Sequence, residues 1–409
     1  MIHCLWILKR IRNDMSVFHF FERSKTDRLA VIHLLLTMFT VLAGIVPGRA
    51  YGSNFKPLEA LCQKALLEGV FPGASIAVRH EGKTVFHQAF GTIDCRTHAT
   101  PADTSTVYDL ASLTKAVVTT SIAMQLWERD SLQLDQPVSR YFPAFTGKGK
   151  ERVTIRHLMT HTSGLRAHTF FHKTCRTPED VVQAICSDTL ITKPGIKTTY
   201  SDLGFIVLGR VLETITGKSL ESNFHERFAV PLGMKNTTFN PGNRFNGKIA
   251  ATETDTSWHF NRLRPLVHDQ NAALLGGVAG HAGLFSTSSD LLKFTSMMMD
   301  GGIYKGRRFF KPETVRYFTS RNGTLPRALG WDLRSLEGSS SAGTLFSTQS
   351  WGHLGYTGTS IWIDPQKKLA VIILSNRVCP TSENIKIRAF RPELHNTVVQ
   401  CISSTSTDN

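Results

Sequence analysis

Ser112 and Lys115 stand three residues apart in Asp109-Leu110-Ala111-Ser112-Leu113-Thr114-Lys115. A strand-like entry, Thr106-Val107-Tyr108, precedes them, and an apolar helix running through Trp127 follows. This places Ser112 at a helix N-terminus, where serine is a favoured cap and free backbone N–H groups collect. Lys115 then lies one turn along on the same face. A serine hydroxyl becomes a nucleophile when a neighbouring base takes its proton, and a lysine whose pKa is lowered by burial can share that task. The free N–H groups can hold the oxyanion that forms on the attacked carbonyl. The plainer reading of these seven residues is an N-capped buried helix.

Two other stretches carry candidate chemistry. Tyr200-Ser201-Asp202 follows Lys193-Pro194-Gly195 in a loop ahead of a helix from about Leu203. A tyrosine beside a lysine ammonium has a means of lowering its pKa and acting as general base. Without such a role, Tyr200 is a buried aromatic and Ser201 or Asp202 a helix cap, with Asp202 also a partner for lysine. Gly352-His353-Leu354-Gly355-Tyr356-Thr357-Gly358 precedes two strong strands. Its glycines allow a backbone to approach a ligand closely, as the edge of an oxyanion hole requires. His353 could hold an anionic group or polarise the tyrosine; otherwise it is a satisfied polar residue in a relaxed strand.

The elements that must position these residues follow from periodicity and punctuation. Leu58 to Leu67 reads as an amphipathic helix stopped by Phe71-Pro72-Gly73. Ala74–Arg79 and Thr84–Phe90 are β-rich runs joined by a short hairpin at His80-Glu81-Gly82-Lys83. Helical candidates occupy 113–128, 154–160, 178–187, 203–216 and 219–228, with another from Ser289 to Met299. Arg334 to Ser350 is a Ser- and Gly-rich loop. Thr359–Ile363 and Leu369–Ser375 are strong strands, and a last helix opens after Pro392. Strands at both ends can meet only if the helical section is inserted into one sheet. The expected fold is α+β, with an antiparallel sheet domain from 51–111 and 288–409 flanked by N- and C-terminal helices. A mostly helical domain with cleft loops, 112–287, is inserted into it.

Taken in order, Ser-x-x-Lys at 112–115, Tyr-Ser-Asp at 200–202 and His-Leu-Gly at 353–355 resemble the motif set of the serine β-lactamase and penicillin-binding-protein superfamily. The likeness is closer to class C-type β-lactamases, D-Ala-D-Ala carboxypeptidases and related esterases. Leu158-Met159-Thr160-His161-Thr162-Ser163-Gly164-Leu165 and Gly280-His281-Ala282-Gly283-Leu284-Phe285-Ser286-Thr287 add to it. The resemblance implies the β-lactamase/transpeptidase-like fold. It implies Ser112 as acylated nucleophile, Lys115 as its proton partner, Tyr200 as general base, and the N–H groups of Ser112 and Tyr356 as oxyanion hole. Asp202, His353, Gly355 and His281 would border the substrate. Two departures stand out. The third motif is usually Lys-Thr-Gly, whose lysine and threonine bind a carboxylate; histidine and leucine offer neither that charge nor that hydroxyl. Asp202 replaces the usual asparagine of Tyr-x-Asn, which favours a protonated Lys115. His268-Asp269-Gln270-Asn271 and His281 match no metal-ligand spacing and read as a cleft wall or polar network.

Whole-chain properties bound this reading. The 409 residues are 41% hydrophobic and 19% charged, ordinary for a globular protein. The net charge of +15 is spread along the chain without Lys/Arg blocks or a nucleic-acid module, so nucleic acid is not an expected partner. Lys9, Arg10, Arg12, Arg23, Lys25 and Arg28 precede an apolar run from Leu29 to Val46, followed by Pro47-Gly48-Arg49-Ala50. This is the grammar of a secretory signal over 1–50, either cleaved or retained as a membrane anchor. The cysteines nominate no pairing and read as isolated structural thiols. The expectation is an exported, cofactor-independent serine hydrolase forming an acyl-enzyme. Its substrate would be a cell-wall D-alanyl peptide, a small acyl or ester compound, or a β-lactam. A non-catalytic penicillin-binding envelope sensor is the contrasting reading.

Overall fold

The computed structural model describes residues 55–245, 247–253, 267–321, 323 and 325–405. The expected signal or anchor over 1–50 lies outside the described residues, and Tyr51–Asn409 is one folded unit.

A six-stranded antiparallel sheet, ordered β2-β1-β11-β10-β9-β8, forms the frame. Its strands are β1 (Gly73–His80), β2 (Lys83–Gly91), β8 (Asp332–Leu333), β9 (Trp351–Leu354), β10 (Ser360–Asp364) and β11 (Leu369–Ser375). β1 pairs with β11 from Ala74↔Ser375 to His80↔Leu369, so the two ends of the folded unit meet at the centre of the sheet. This is the insertion topology that the order of elements requires. A smaller sheet joins β3 (Tyr108–Asp109), β5 (Leu284–Ser286) and β4 (Thr238–Phe239), with β5 in the middle, and β6 (Ile303–Tyr304) pairs with β7 (Arg307–Arg308).

β11 shows why its sequence, Leu-Ala-Val-Ile-Ile-Leu-Ser, lacks polar alternation. Leu369, Val371 and Ile373 face one apolar layer with α1 (Lys56–Leu67) and α10 (Ile387–Thr405). Ala370, Ile372 and Leu374 face the helical section. Successive side chains point to opposite faces, and here both faces are covered. The apolar cluster on the second face also contains Leu113, Phe205 and Phe294, so the inserted section and the sheet share one core. Leu58, Cys62 and Ala65 form the buried stripe of α1, at the spacing of one helical face.

The helical section contains α2 (Ser121–Glu128), α3 (Ile155–Met159), α4 (Pro178–Ser187), α5 (Asp202–Thr216) and α6 (Leu220–Phe224). The starts of α3 to α6 are legible because side chains cap them. Thr154, Thr177, Ser201 and Ser219 each accept from a first-turn backbone N–H. α7 (Gln270–Leu274) and α8 (Ser288–Met299) are capped likewise by Asp269 and Thr287, and α9 (Pro312–Thr319) opens on its proline. The last helix departs from expectation. α10 begins at Ile387, leaving Pro392 inside it. Ile387 and Phe390 are buried against the sheet, and Arg391 donates to the carbonyls of Gly355 and Thr359. That packing outweighs the lost helical hydrogen bond at proline.

The cysteines also depart from expectation. Cys95 and Cys379 form a disulfide across 284 residues, joining the loop after β2 to the segment after β11. Only the fold brings these two together; among the described residues, Cys62, Cys175, Cys186 and Cys401 are outside any disulfide.

Ile372 is fully buried at the centre of the second face. Ile372→Ala is expected to destabilise the fold by about 2–5 kcal/mol through lost burial and a residual cavity. Urea unfolding monitored by circular dichroism reads this; a loss below about 1 kcal/mol would show that the sheet and helical section do not share a tightly packed core.

Candidate active site

The chain reaches Ser112 through a strained turn. Ala111 has a φ of +47°, a conformation that costs a non-glycine residue energy and persists only when its surroundings impose it. The imposing group is Asp109. Its buried carboxylate accepts the N–H of Ala111 at 2.7 Å through Oδ1 and that of His268 at 2.7 Å through Oδ2. Thr114 Oγ1 donates to the Ala111 carbonyl at 2.7 Å. Beyond Ser112 the helix opens with a π-helical stretch, Lys115–Thr120, before α2. Such wide turns are frequent at functional sites.

The third motif is pinned to the same entry. Thr357 Oγ1 donates to the Asp109 carbonyl at 2.7 Å and Thr359 Oγ1 to the Leu110 carbonyl at 3.0 Å. Gly355 permits this approach, since a Cβ there would sit 2.5 Å from the Leu110 carbonyl oxygen. Gly280 plays the matching part behind the helix: its Cβ would meet the Phe205 carbonyl at 2.1 Å, and its own carbonyl accepts from Thr119.

Lys115 is fully buried and sits at the junction of these elements. Its ammonium donates to Ser112 Oγ at 2.9 Å and to the His281 carbonyl at 3.1 Å. Asp202 Oδ1 lies 2.7 Å away as a charge contact rather than an aligned hydrogen bond. The Ser112 hydroxyl is therefore engaged by lysine, not spent on a helix cap. Burial pushes the Lys115 pKa down, but the Asp202 charge, with Tyr200, outweighs it and holds the pKa above its ordinary value. Lys115 is thus an ammonium, which corrects the expectation of a lysine lowered by burial and agrees with the effect expected of Asp202. For Asp202, burial pushes upward, yet the Lys115 charge and the His168 hydrogen bond together hold the carboxyl well below the usual range.

Tyr200 lies beside the pair, with the Lys115 ammonium 4.9 Å from its ring centroid. Burial raises its pKa more than the Lys115 charge and the side-chain hydrogen bonds to Lys115 and Ser112 lower it. The tyrosine is a phenol in the resting site, which corrects the expectation of a lowered pKa. Its ring is held by His161, stacked at 4.5 Å, and by the Arg327 guanidinium, 4.8 Å from the centroid. His161 Nδ1 accepts the N–H of Ser201 at 2.9 Å, which orients the whole Tyr-Ser-Asp turn. Burial, then the Arg327 and Lys115 charges, keep His161 neutral.

His353 is buried, with its ring 6.1 Å from that of Tyr200. Its Nδ1–H donates to the Leu354 carbonyl at 2.9 Å, leaving Nε2 as a bare acceptor. Burial lowers its pKa to about 4. A neutral ring that presents only a lone pair cannot hold an anion, so the anion-holding part considered for His353 is corrected. His281 is also placed differently. Its ring is fully buried and pairs with Asp269 Oδ1 at 2.8 Å, while its carbonyl holds Lys115. His281 and Asp202 thus both support the lysine. Tyr356 remains half-exposed, its carbonyl held by Arg377 Nε at 2.8 Å.

Several participants were not singled out in the sequence. Arg327 and His168 belong to no recognisable local pattern, and only tertiary proximity selects them; Asp109 opens the quoted Ser112 stretch, but no role was assigned to it. His161 lay inside a quoted motif, but nothing in the string assigned it to Tyr200.

An antiparallel sheet flanked by terminal helices, with a serine–lysine–tyrosine cluster fastened to the β9–β10 connection, defines a β-lactamase/transpeptidase-like serine hydrolase. The Beta-lactamase family profile matches residues 54–394, and the chain belongs to that family. A protein of Escherichia coli K12 named "Putative D-alanyl-D-alanine carboxypeptidase" is 32% identical over 343 residues, covering 75% of this chain and 79% of its own. Among solved structures, EstCE1, a hydrolase with promiscuous acyltransferase activity, superposes with a TM-score of 0.67 at 24% identity. It covers 83% of this chain and 98% of its own. A penicillin-binding protein homologue from Caulobacter crescentus gives 0.69 at 18% identity, over 87% and 99%. At these identities the structures establish the fold.

The Lys115–Asp202 pair has a defined pH window. Asp202, with a depressed pKa, contributes stability above the usual carboxylate range that is lost as pH falls. Lys115, with a raised pKa, contributes stability below the ordinary lysine value that is lost as pH rises through its folded pKa. At neutral pH both contributions are present. Asp202→Ala leaves a buried ammonium unpaired and is expected to cost about 3–5 kcal/mol at pH 7, read by urea unfolding. An unchanged midpoint would show that the pair carries no net stability.

Proposed function

We propose that this chain is an exported D-alanyl-D-alanine carboxypeptidase-type enzyme acting through an acyl-enzyme on Ser112. In acylation Ser112 Oγ attacks the peptide carbonyl, and its proton passes to Tyr200, ionised in the reactive form. As the C–N bond breaks, Tyr200 gives that proton to the departing D-alanine nitrogen. In deacylation a water attacks the ester, Tyr200 takes its proton, and Ser112 Oγ regains one as the acid leaves. Lys115, as ammonium, stabilises the tyrosinate and hydrogen-bonds to Ser112. The N–H groups of Ser112 and Tyr356 are suited to the oxyanion.

The observation that carries the choice of substrate is Arg327. A D-alanyl peptide ends in a carboxylate, and neutral His353 with Leu354 cannot bind it. The Arg327 guanidinium on the Tyr200 face supplies a cation at the cleft, with 22% of its side chain exposed. Its Nη1 pairs with Asp332 Oδ1. The relative named as a carboxypeptidase supports the same reading. Export is supported by the N-terminal grammar of 1–50 and by the Cys95–Cys379 disulfide, since such bonds persist in oxidising compartments. The neutral third motif favours an esterase as second reading.

Intact-mass spectrometry separates these readings. The protein is incubated in parallel with a fluorescent penicillin, a D-Ala-D-Ala peptide and a short-chain aryl ester. A penicillin adduct on Ser112 with release of D-alanine is expected; ester turnover without an adduct would establish the esterase, and acylation that stalls a sensor. Ser112→Ala should abolish labelling in a folded protein, and persistent labelling would exclude Ser112 as nucleophile. Arg327→Ala should raise KM for the peptide at least about tenfold, as loss of one charge-assisted hydrogen bond implies, and change ester KM little. Equal effects on both substrates would remove Arg327 from carboxylate recognition.

A further inference from the structure

Asp202 is shared. Oδ1 contacts the buried Lys115 ammonium, and Oδ2 lies 3.3 Å from His168 Nδ1. The placement of His168 is built into the backbone on both sides. Ser201 Oγ donates to the Arg166 carbonyl at 2.6 Å, and the Asp202 N–H to the Ala167 carbonyl at 2.9 Å. These two bonds clamp the 166–168 segment to the first turn of α5. The His168 side chain is 34% exposed, so it exchanges protons with solvent, while Lys115 is sealed.

We propose that His168 is a positioning residue whose imidazolium balances Asp202, so that activation of Ser112 requires His168 in its charged form. The inference rests on the serine hydrolase reading above and adds a control to it. Tyr200 must become an anion to accept a proton, and the Asp202 charge opposes this. A cation on the far oxygen of Asp202 offsets that opposition without displacing Lys115. The groups facing His168 are Asp202, which favours its charge most, Asp269, which favours it, and Lys115, which opposes it. The rings of Phe170 and His168 meet edge-on at 5.0 Å. Around Tyr200 stand Lys115, Asp202, Arg327, His161 and His353. Burial holds both of those histidines neutral, so neither duplicates the part of His168. His281, paired with Asp269 at 2.8 Å, also favours the Asp202 charge, but after Lys115 and the His168 hydrogen bond, and its ring is sealed from solvent.

The test uses the full chain and two readouts. Histidine-selective NMR follows the His168 titration, and stopped-flow follows acylation by p-nitrophenyl acetate from pH 5 to 9. In the wild type the acylation rate should stop rising with pH where NMR shows His168 losing its proton. His168→Gln should acylate about tenfold more slowly at pH 6, the equivalent of one pKa unit on Tyr200, and lose that break. His168→Lys, a cation throughout this range, should restore the rate without the break. In an Asp202→Asn background the NMR titration should move down, and His168→Gln should slow acylation no further. A wild-type rate and break in His168→Gln would overturn the proposal, as would an equal loss in the Asp202→Asn background. An NMR titration of His168 indifferent to Asp202→Asn would also overturn it. If Ser112→Ala still turns over the ester, the serine hydrolase reading itself fails, a result separate from these.

Discussion

The structure depends on one buried ammonium. Lys115 reaches Ser112, Asp202, Tyr200 and the His281 carbonyl from a position with no solvent access. An unpaired charge there would cost several kcal/mol or lose its proton. The surrounding elements are arranged so that neither happens. α5 delivers Asp202 from its first turn, the 280–283 segment delivers a carbonyl, and Gly280 lets that segment approach α5 closely. The same pairing has a consequence for chemistry. An ammonium stabilised this well is not a base, and the proposed mechanism therefore assigns proton acceptance to Tyr200, whose own ionisation is disfavoured by burial and by Asp202.

The position of Ser112 is set by a different group of contacts. The positive φ of Ala111 is maintained by Asp109, and threonines of the 357–359 segment bind carbonyls of the same turn. The β9–β10 connection and the turn before Ser112 are thus fastened by backbone and hydroxyl hydrogen bonds, which are directional and short-ranged. Arg391, reaching from α10 to the Gly355 and Thr359 carbonyls, continues that fastening to the far face of the sheet. A helix packed on one face of the sheet therefore helps to hold the geometry of the site.

Charge around the cleft is redistributed relative to the motif pattern. A third motif without lysine leaves His353 neutral and inward-bonded, and Arg327 brings a guanidinium to the Tyr200 ring from another part of the chain. A second motif with Asp202 adds a negative charge, and His168 faces its outer oxygen. Both substitutions are local in the string, and the groups that answer them are distant in it.

Much of this protein was determined by the sequence itself. Helix starts were legible where Thr177, Ser201 or Thr154 can cap, because a capping side chain acts on its own neighbours. The meeting of β1 with β11 followed from the order of strands and helices, since a sheet must bury its faces and the chain cannot pass through itself. Ser112, Lys115 and Tyr200 were legible as motif residues for the same reason of short range. Tertiary structure alone decided what depends on long-range packing. It carried α10 upstream across Pro392, joined Cys95 to Cys379, and selected Arg327 and His168. It also set the protonation states of Lys115, Tyr200 and His353, because burial and the nearest charge fix a pKa, and neither is a property of neighbours in sequence.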